Sequence, residues 1–350
     1  MLSAARRVIE SGWYILGKEG ETFEKQWAEI CGVPFGVGLG NGMDALEIAL
    51  KSLDIGAGDE VITSPMTAFA TVLAIIRAGA TPVLADIESG SGLLSLSSVK
   101  RCMSPKTKAI ILVHLYGQIR SMGAWVDFCN VNNIHLIEDC AQAHLASWQG
   151  KVAGSFGIAG AFSFYPTKNL GAIGDAGMLV THDEALANRA VCLRNYGQTS
   201  RYEHAELGLN SRMDELHAAI LSARLQWLDA FTERRRQIAA HYFSGIQSDF
   251  VRLLAEPEEY SAHVYHLFVV VSEHRGALQA YLLENGIQTL IHYPLPVQRQ
   301  KPTQFIKRDP RGLAACDQHA SKCLSLPCHP QLTGADIAQV IGAVNRFVPK

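Results

Sequence analysis

The sequence predicts an α/β protein in which a large domain, built on a mostly parallel seven-stranded sheet, precedes a smaller C-terminal α/β domain. In the first two thirds of the chain, short apolar runs alternate with amphipathic stretches, which is typical of strands joined by helices. The apolar runs are rich in β-branched residues and show little strict alternation, as expected of a sheet buried on both faces. The predicted strands are residues 35–39, 60–63, 81–85, 108–115, 135–138, 159–163 and 177–180, and the helices between them include 44–53, 70–78 and 122–132.

The pattern changes after residue 212. Residues 213–240 contain no Gly or Pro, and apolar residues recur at helical spacing, which predicts one long helix. Arg234, Arg235 and Arg236 are expected to form a solvated face of it. We therefore predict a large domain over residues 1–234 and a small domain over 235–350, with the N-terminal segment packing on the small domain.

The composition excludes several classes of function. The 350 residues are 48% hydrophobic and 18% charged, and the formal net charge of -2 gives no field that favours nucleic acid or an anionic membrane. No apolar run approaches the length of a membrane span, and the N-terminus does not resemble a secretory signal, so a cytoplasmic location is expected. The eight cysteines include no C-x-x-C pair, and neither a metal site nor a disulfide framework is expected.

The glycines at positions 36, 38, 40 and 42 do not have dinucleotide-binding spacing, since G-x-G-x-x-G would require glycine at 41 or 43. What remains is a strand, Asn41-Gly42, and a helix starting near Met43. Free N–H groups at a helix start can hold a phosphate, but a simple strand-to-helix turn explains the pattern equally well.

Asp139 follows the apolar strand His135–Glu138. Ligands of open α/β sheets lie at the carboxyl ends of the strands, where a carboxylate can keep a pyridine nitrogen protonated. An ordinary helix-capping role for Asp139 is the alternative, and Gln142 can belong to a polar loop.

The most informative segment is Ser163–Gly171, which starts at a strand end and runs into a glycine-rich stretch. Lys168 is a single charge in a largely uncharged run. In a dry pocket, a lysine has a lowered pKa and can form a Schiff base, and Ser163 can donate to a phosphate. The alternative is a surface lysine in a loop.

Ten segments spread over nearly the whole chain carry a resemblance to a known family. In chain order they are SGWYILG, GNGMDALEIAL, GDEVITSP, IRAGATPVLADI, KAIILVHLYGQ, IEDCAQAH, FSFYPTKNLGAIGDAG, LRNYGQ, LGLNSRMDELHAAIL and HYPLP. With these segments in this order, the chain resembles the DegT/DnrJ/EryC1/StrS aminotransferases, which are sugar aminotransferases with the type I fold of pyridoxal 5'-phosphate (PLP) enzymes.

The resemblance assigns roles to individual residues. Lys168 matches the lysine that forms the Schiff base with PLP and then acts as the general base. Asp139 matches the aspartate on the pyridine nitrogen, and Phe69 is expected to stack on the ring. The remaining cofactor positions are Gln142 beside the 3-hydroxyl, Gly42, Met43 and Ser163 at the phosphate, and Asn210, which reaches the phosphate from the partner subunit. The last point implies a homodimer with shared sites, and Met43 replaces the Thr or Ser common in the family.

The resemblance also implies the reaction. L-Glutamate gives its amino group to the cofactor and leaves as 2-oxoglutarate, and a nucleotide-linked keto-deoxysugar accepts the group. The segments SFYPTKNLGAIGDAG and HLYGQ favour amination at C3 of a dTDP-linked 3-keto-6-deoxyhexose, with amination at C4 as the alternative. The positions that match the sugar site are Tyr165, Tyr196, Arg212, His292 and Tyr293.

Other functional classes remain as alternatives. PLP-dependent sugar dehydratases of the same superfamily carry histidine in place of the lysine, so Lys168 argues against them. A non-catalytic relative would not require intact Lys168, Asp139 and Gln142. A dinucleotide-dependent oxidoreductase is disfavoured by the glycine spacing.

Overall fold

A large central sheet dominates the first part of the chain, in a computed structural model that describes residues 1–349. Most residues of its strands are buried, which fits their apolar, β-branched sequences. The strands of the protein are β1 (Phe35–Leu39), β2 (Glu60–Thr63), β3 (Thr81–Leu84), β4 (Thr107–Val113), β5 (His135–Asp139), β6 (Ser147–Trp148), β7 (Lys151–Val152), β8 (Ala159–Ser163), β9 (Gly177–Thr181), β10 (Gln198–Ser200), β11 (Glu203–His204), β12 (Arg252–Leu253), β13 (Phe268–Val271), β14 (Lys307–Arg308) and β15 (Cys323–Leu326).

Helices cover both faces of this sheet and pack on the smaller sheet of the C-terminal part. Two apolar clusters lie on the faces of the large sheet, and a third lies in the C-terminal part. The helices are α1 (Leu2–Ser11), α2 (Lys18–Cys31), α3 (Gly42–Ser52), α4 (Phe69–Arg77), α5 (Leu96–Cys102), α6 (Met122–Asn132), α7 (Glu184–Leu193), α8 (Glu215–Leu225), α9 (Leu228–Gly245), α10 (Arg275–Glu284), α11 (Ala314–Lys322) and α12 (Gly334–Arg346).

The strand order of the large sheet is β1-β9-β8-β5-β4-β2-β3-β14. All pairs are parallel except those of β9, which runs antiparallel to both β1 and β8. The seven predicted strands are therefore confirmed. An eighth strand of two residues, β14, is added at the edge from the C-terminal part of the chain. It has no apolar run of its own, so the sequence pattern did not indicate it.

The two parts of the chain share a fourth apolar cluster. It joins Leu84 and Val113 of the large sheet to Val269 and Val271 of the smaller sheet, which has the order β12-β13-β15. The predicted boundary at 234/235 falls inside α9, so this helix connects the two parts. The N-terminal helix α1 packs through Ala4 and Val8 on Ala219 of α8. The N-terminal segment thus lies on the large domain and not, as expected, on the small one.

The long helix expected over residues 213–240 is divided into α8 and α9, with a break at Gln226–Trp227. The expectation of a solvated arginine face is also wrong. Arg235 is only 8% exposed, and its guanidinium donates to the carbonyls of Tyr265 and Cys328. The break carries no Gly or Pro, and the carbonyls that bind Arg235 are distant in the chain, so pattern analysis indicated neither feature.

Residues 1–349 include no helix that is long and apolar enough to cross a membrane.

Candidate active site

The lysine loop begins where β8 ends. Main-chain bonds fold it back on itself, from Phe164 N–H to the Ala176 carbonyl (2.7 Å) and from Ala172 N–H to the Phe164 carbonyl (2.7 Å). Within the loop, the Lys168 N–H donates to the Tyr165 carbonyl at 2.8 Å. These bonds hold Lys168 in a partly buried position at the edge of the sheet where the parallel strands end.

The environment of Lys168 favours a neutral amine. Burial lowers its pKa from 10.5 to about 8, and the negative charge of Asp139 opposes that shift without cancelling it. At pH 8 about half of the amine is neutral, compared with less than about 1% for an ordinary lysine. A neutral amine is the form that adds to a carbonyl group.

Asp139 ends β5 and is 7% exposed. One carboxylate oxygen accepts the Thr71 hydroxyl at 2.8 Å, and the other accepts the Ala141 N–H at 3.2 Å. The Thr71 hydroxyl is in turn 2.8 Å from that of Thr67. The carboxylate is thereby fixed in orientation by two donors. Thr71, in the first turn of α4, was missed in the sequence, where its only signal is its position two residues after Phe69.

Backbone N–H groups are available where α3 begins, next to Ser163. Asn41 caps this helix by accepting the Asp44 N–H at 2.9 Å, and the N–H groups of the first turn have no intrahelical partner. A Cβ on Gly42 would lie 2.8 Å from the Ser163 Cβ, so glycine is required for this close approach. PLP requires donors for its phosphate, an amine for its aldehyde and a carboxylate for its ring nitrogen. The residues fit this cofactor, since the helix start and the Ser163 hydroxyl are donors, Lys168 supplies the amine and Asp139 supplies the carboxylate. Met43 packs by its side chain against the core, so only its N–H is available at the helix start.

Gln142 and Tyr293 connect the two parts of the chain at the site. The Gln142 side-chain amide donates to the Tyr293 hydroxyl at 3.2 Å, and burial raises the pKa of that hydroxyl to about 12. His292, the preceding residue, lies with Nδ1 2.9 Å from the Ser325 hydroxyl. Burial, together with the charge of Lys168, lowers the pKa of His292. Tyr293 is therefore protonated and His292 is neutral at pH 7.

Two further histidines surround the lysine. Burial, together with the charge of Lys168, lowers the pKa of His144 to about 3 and that of His266 well below 6.5. The His144 ring stacks on that of Phe164, with 5.4 Å between centroids. These imidazoles are neutral, so Asp139 supplies the charge that opposes Lys168.

Three predicted residues, Tyr196 and Arg212 of the sugar site and Asn210 of the phosphate site, are connected through Asn195 and the Tyr196 ring at a partly exposed surface. Arg212 donates to the Asn195 side-chain oxygen at 2.9 Å and lies 5.2 Å above the Tyr196 ring. Asn195 also forms a β-bridge with Asn210, whose side chain is exposed. Tyr196 is 45% exposed and Tyr165 is 50% exposed. Phe69 is half-buried as the first residue of α4. The structure thus joins Gln142 with Tyr293 and Gly42 with Ser163, while Tyr196, Arg212 and Asn210 form a second group in which Tyr196 and Asn210 are exposed.

One buried cluster, formed by His114, Glu138 and Cys140, has atoms close enough to share a metal ion. The Glu138 oxygens already accept from His114 Nε2 at 2.8 Å and from the N–H groups of the 154–157 loop. Burial raises the pKa of the Cys140 thiol well above 9. Hydrogen bonding explains this cluster.

Comparison with known proteins gives concordant results. A sequence model of the DegT/DnrJ/EryC1/StrS aminotransferase family matches residues 1–345. The chain is 45% identical to the dTDP-3-amino-3,6-dideoxy-alpha-D-galactopyranose transaminase of Aneurinibacillus thermoaerophilus, over 98% of this chain and 94% of that protein. It is 41% identical to the dTDP-3-amino-3,4,6-trideoxy-alpha-D-glucose transaminase of Streptomyces venezuelae, over 99% of this chain and 92% of that protein.

The solved structure of S. venezuelae DesV in complex with a ketimine intermediate has a TM-score of 0.94 and 40% identity, and the match covers 98% of this chain and 92% of that one. The predicted fold, the aminotransferase activity and the PLP cofactor are confirmed by these similarities. The chain belongs to the DegT/DnrJ/EryC1/StrS aminotransferase family.

Proposed function

We propose that the protein transfers the amino group of L-glutamate to C3 of a dTDP-linked 3-keto-6-deoxyhexose. The observation that carries this proposal is the pairing of Lys168, whose pKa is lowered to about 8, with the fixed carboxylate of Asp139 at one edge of the sheet. Both named relatives are transaminases of dTDP-3-amino sugars, which supports C3 and the dTDP group.

In this proposal, the residues of the site move one proton, hold another and orient the cofactor. When bound, PLP supplies an electron sink for the carbon that carries the amino group. The Lys168 Nζ would take up the proton from that carbon and deliver it to the C4′ carbon of the cofactor, which its partly neutral state allows. The Asp139 carboxylate, held by Thr71 and Ala141, keeps a proton on the ring nitrogen. The start of α3, with Gly42 and Met43, and the Ser163 hydroxyl bind the phosphate.

The exchange occurs in two halves that balance without an external oxidant. Glutamate leaves as 2-oxoglutarate, and the sugar ketone then becomes an amine. Tyr165, Tyr196, Arg212, His292 and Tyr293 are proposed to line the sugar site, and Phe69 to pack on the pyridine ring. Asn210 and Tyr196 are exposed. We therefore place Tyr196, Asn210 and Arg212 in the site of a second copy of the chain, so that the protein acts as a cytoplasmic homodimer.

The first test concerns the lysine. The purified protein with PLP should show the visible absorbance of a lysine-bound cofactor, and borohydride should fix the cofactor to Lys168. The Lys168→Ala variant should lose all transamination while it keeps a wild-type unfolding transition. Turnover by this variant, or a protein that stays colourless with PLP, would refute the proposal.

The second test concerns the sugar. The enzyme is incubated with L-glutamate and either dTDP-3-keto-6-deoxyhexoses, with galacto or gluco configuration at C4, or dTDP-4-keto-6-deoxyglucose, and the products are identified by NMR. A 3-amino product is expected. Formation of a 4-amino product alone would refute the assignment to C3, and the C4 configuration that reacts faster would define the sugar series.

A further inference from the structure

The segment His114–Gln118, which follows β4, has no part in the reaction as described so far. Its central residue Tyr116 is 2% exposed and adopts φ 63° and ψ 0°, a left-handed conformation that is unfavourable for a residue other than glycine. The next residue, Gly117, also has a positive φ, and a Cβ there would lie 2.7 Å from the Gln142 carbonyl. The loop is therefore in close contact with the backbone of Gln142.

Tyr116 forms hydrogen bonds to both parts of the site. Its N–H donates to the Gln142 side-chain oxygen at 2.6 Å. Its hydroxyl donates to the His292 carbonyl at 2.7 Å. Since Gln142 also donates to the Tyr293 hydroxyl at 3.2 Å, these contacts form a closed ring through the large domain, Tyr116 and the His292–Tyr293 segment.

The directions of these hydrogen bonds follow from the groups involved. Tyr116 has one hydroxyl hydrogen, and the His292 carbonyl can only accept it. His319 Nε2, which is 2.9 Å from the same hydroxyl, must therefore be the donor. Burial lowers the pKa of His319 to about 4 and raises that of Tyr116 well above 10, so at neutral pH His319 is uncharged with its proton on Nε2.

We infer that Tyr116 is a positioning residue for the acceptor sugar, which acts by fixing the His292–Tyr293 segment relative to Gln142. The inference rests on the proposed function, in which His292 and Tyr293 line the sugar site. The Tyr116 N–H holds the Gln142 side-chain oxygen toward the loop, and this orientation directs the amide N–H toward the Tyr293 hydroxyl. The Tyr116 hydroxyl bonds to His292 and His319 but not to Gln142, so its removal leaves the N–H bond to Gln142 in place and separates the two effects.

The test uses Tyr116→Phe in the full-length holoenzyme. Each half-reaction is followed by stopped-flow absorbance: the PLP form with L-glutamate, and the aminated form with the dTDP-3-keto sugar. We expect kcat/KM of the sugar half-reaction to fall about tenfold, as loss of the buried hydrogen bond to the His292 carbonyl predicts, and that of the glutamate half-reaction to change less than about twofold.

Tyr242→Phe is the matched control. Tyr242 is fully buried in the small domain, and its hydroxyl donates to the Pro327 carbonyl at the same distance of 2.7 Å. It should lose a similar amount of folding stability and change neither half-reaction. Equal losses in both half-reactions of Tyr116→Phe, no loss in either, or the same selective loss in Tyr242→Phe would overturn the inference.

A second readout requires no substrate. Hydrogen–deuterium exchange of the peptide that spans residues 289–297 should be several-fold faster in Tyr116→Phe holoenzyme than in the wild type or in Tyr242→Phe. Unchanged exchange there would overturn the inference by itself. If instead the wild-type enzyme accepts the amino group of glutamate but passes it to no dTDP-linked 3-keto sugar, the proposed function fails, and the exchange result still decides the role of Tyr116.

Discussion

Replacement of Thr71 by valine tests how strongly the reaction depends on the orientation of the Asp139 carboxylate. Valine has nearly the shape of threonine, so the change removes a hydroxyl and little else. The Thr71 hydroxyl donates to a carboxylate that is 7% exposed, at 2.8 Å, and the remaining donor, the Ala141 N–H, is longer at 3.2 Å. The variant leaves the carboxylate with its weaker donor.

A hydrogen bond to a charged group contributes about 1.5–3 kcal/mol. If that energy holds the carboxylate against the ring nitrogen, its loss lowers kcat/KM by about tenfold to about a hundredfold. Steady-state transamination and the dissociation constant of PLP, measured by equilibrium dialysis, check the result. Thr71→Ser keeps the hydroxyl and should restore most of the activity.

Thr181→Val is the matched control for this substitution. Thr181 is 1% exposed, its hydroxyl donates to the Ile158 carbonyl, and it pairs with Phe35 at the opposite edge of the sheet. It should lose stability without loss of kcat/KM in the folded enzyme. A Thr71→Val enzyme with wild-type kcat/KM and PLP affinity would refute the role given to this hydrogen bond.

Three more predictions follow from the site and the core. The rate at which PLP adds to the apoenzyme should rise about tenfold per pH unit below pH 8 and level off above it. The reason is that only neutral Lys168 reacts, and burial lowers its pKa to about 8. A rate that still rises at pH 10 would contradict this. Gly42→Ala should raise the dissociation constant of PLP at least about tenfold, since the new Cβ lies 2.8 Å from the Ser163 Cβ, whereas Gly123→Ala, which meets nothing within 4 Å, should leave it unchanged. Arg235→Leu should lower the free energy of unfolding by about 2–4 kcal/mol in urea, because it leaves buried carbonyls without a donor; an unchanged midpoint would show that these hydrogen bonds contribute little.

The chemistry of the site was predictable where it depends on residue type and strand position. Asp139 ends one buried strand and Lys168 follows another, and parallel strands bring their carboxyl ends to one edge. Seven of the eight strands of the large sheet were predictable for a related reason, since each is a short apolar run between polar turns. Strand β14 was not, because its two residues, Lys307 and Arg308, are charged and exposed.

The groups that support the site were not predictable, because their partners are distant in the chain. Thr71 and Asp139 are 68 positions apart, and Tyr116 and His292 are 176 apart. Neither threonine nor tyrosine has a local pattern that marks it as a donor to such a partner. The arginine run was misread for the same reason, since the carbonyls that bind Arg235 come from strands and loops beyond residue 260.

The charge balance of the pocket follows from which groups burial neutralises. Burial keeps His144, His266 and His292 uncharged and keeps Tyr293 protonated, so each can form hydrogen bonds without adding charge. The electrostatic state of the lysine then depends on desolvation opposed by one carboxylate. A second carboxylate at this edge would favour the ammonium form, and loss of Asp139 would lower the pKa of the amine further while removing the partner of the ring nitrogen. We therefore propose that one fixed carboxylate is enough to hold a proton on the ring nitrogen without cancelling the desolvation that leaves the amine partly neutral. On this proposal, the donors that orient the carboxylate, Thr71 and Ala141, should affect turnover as the charge itself does.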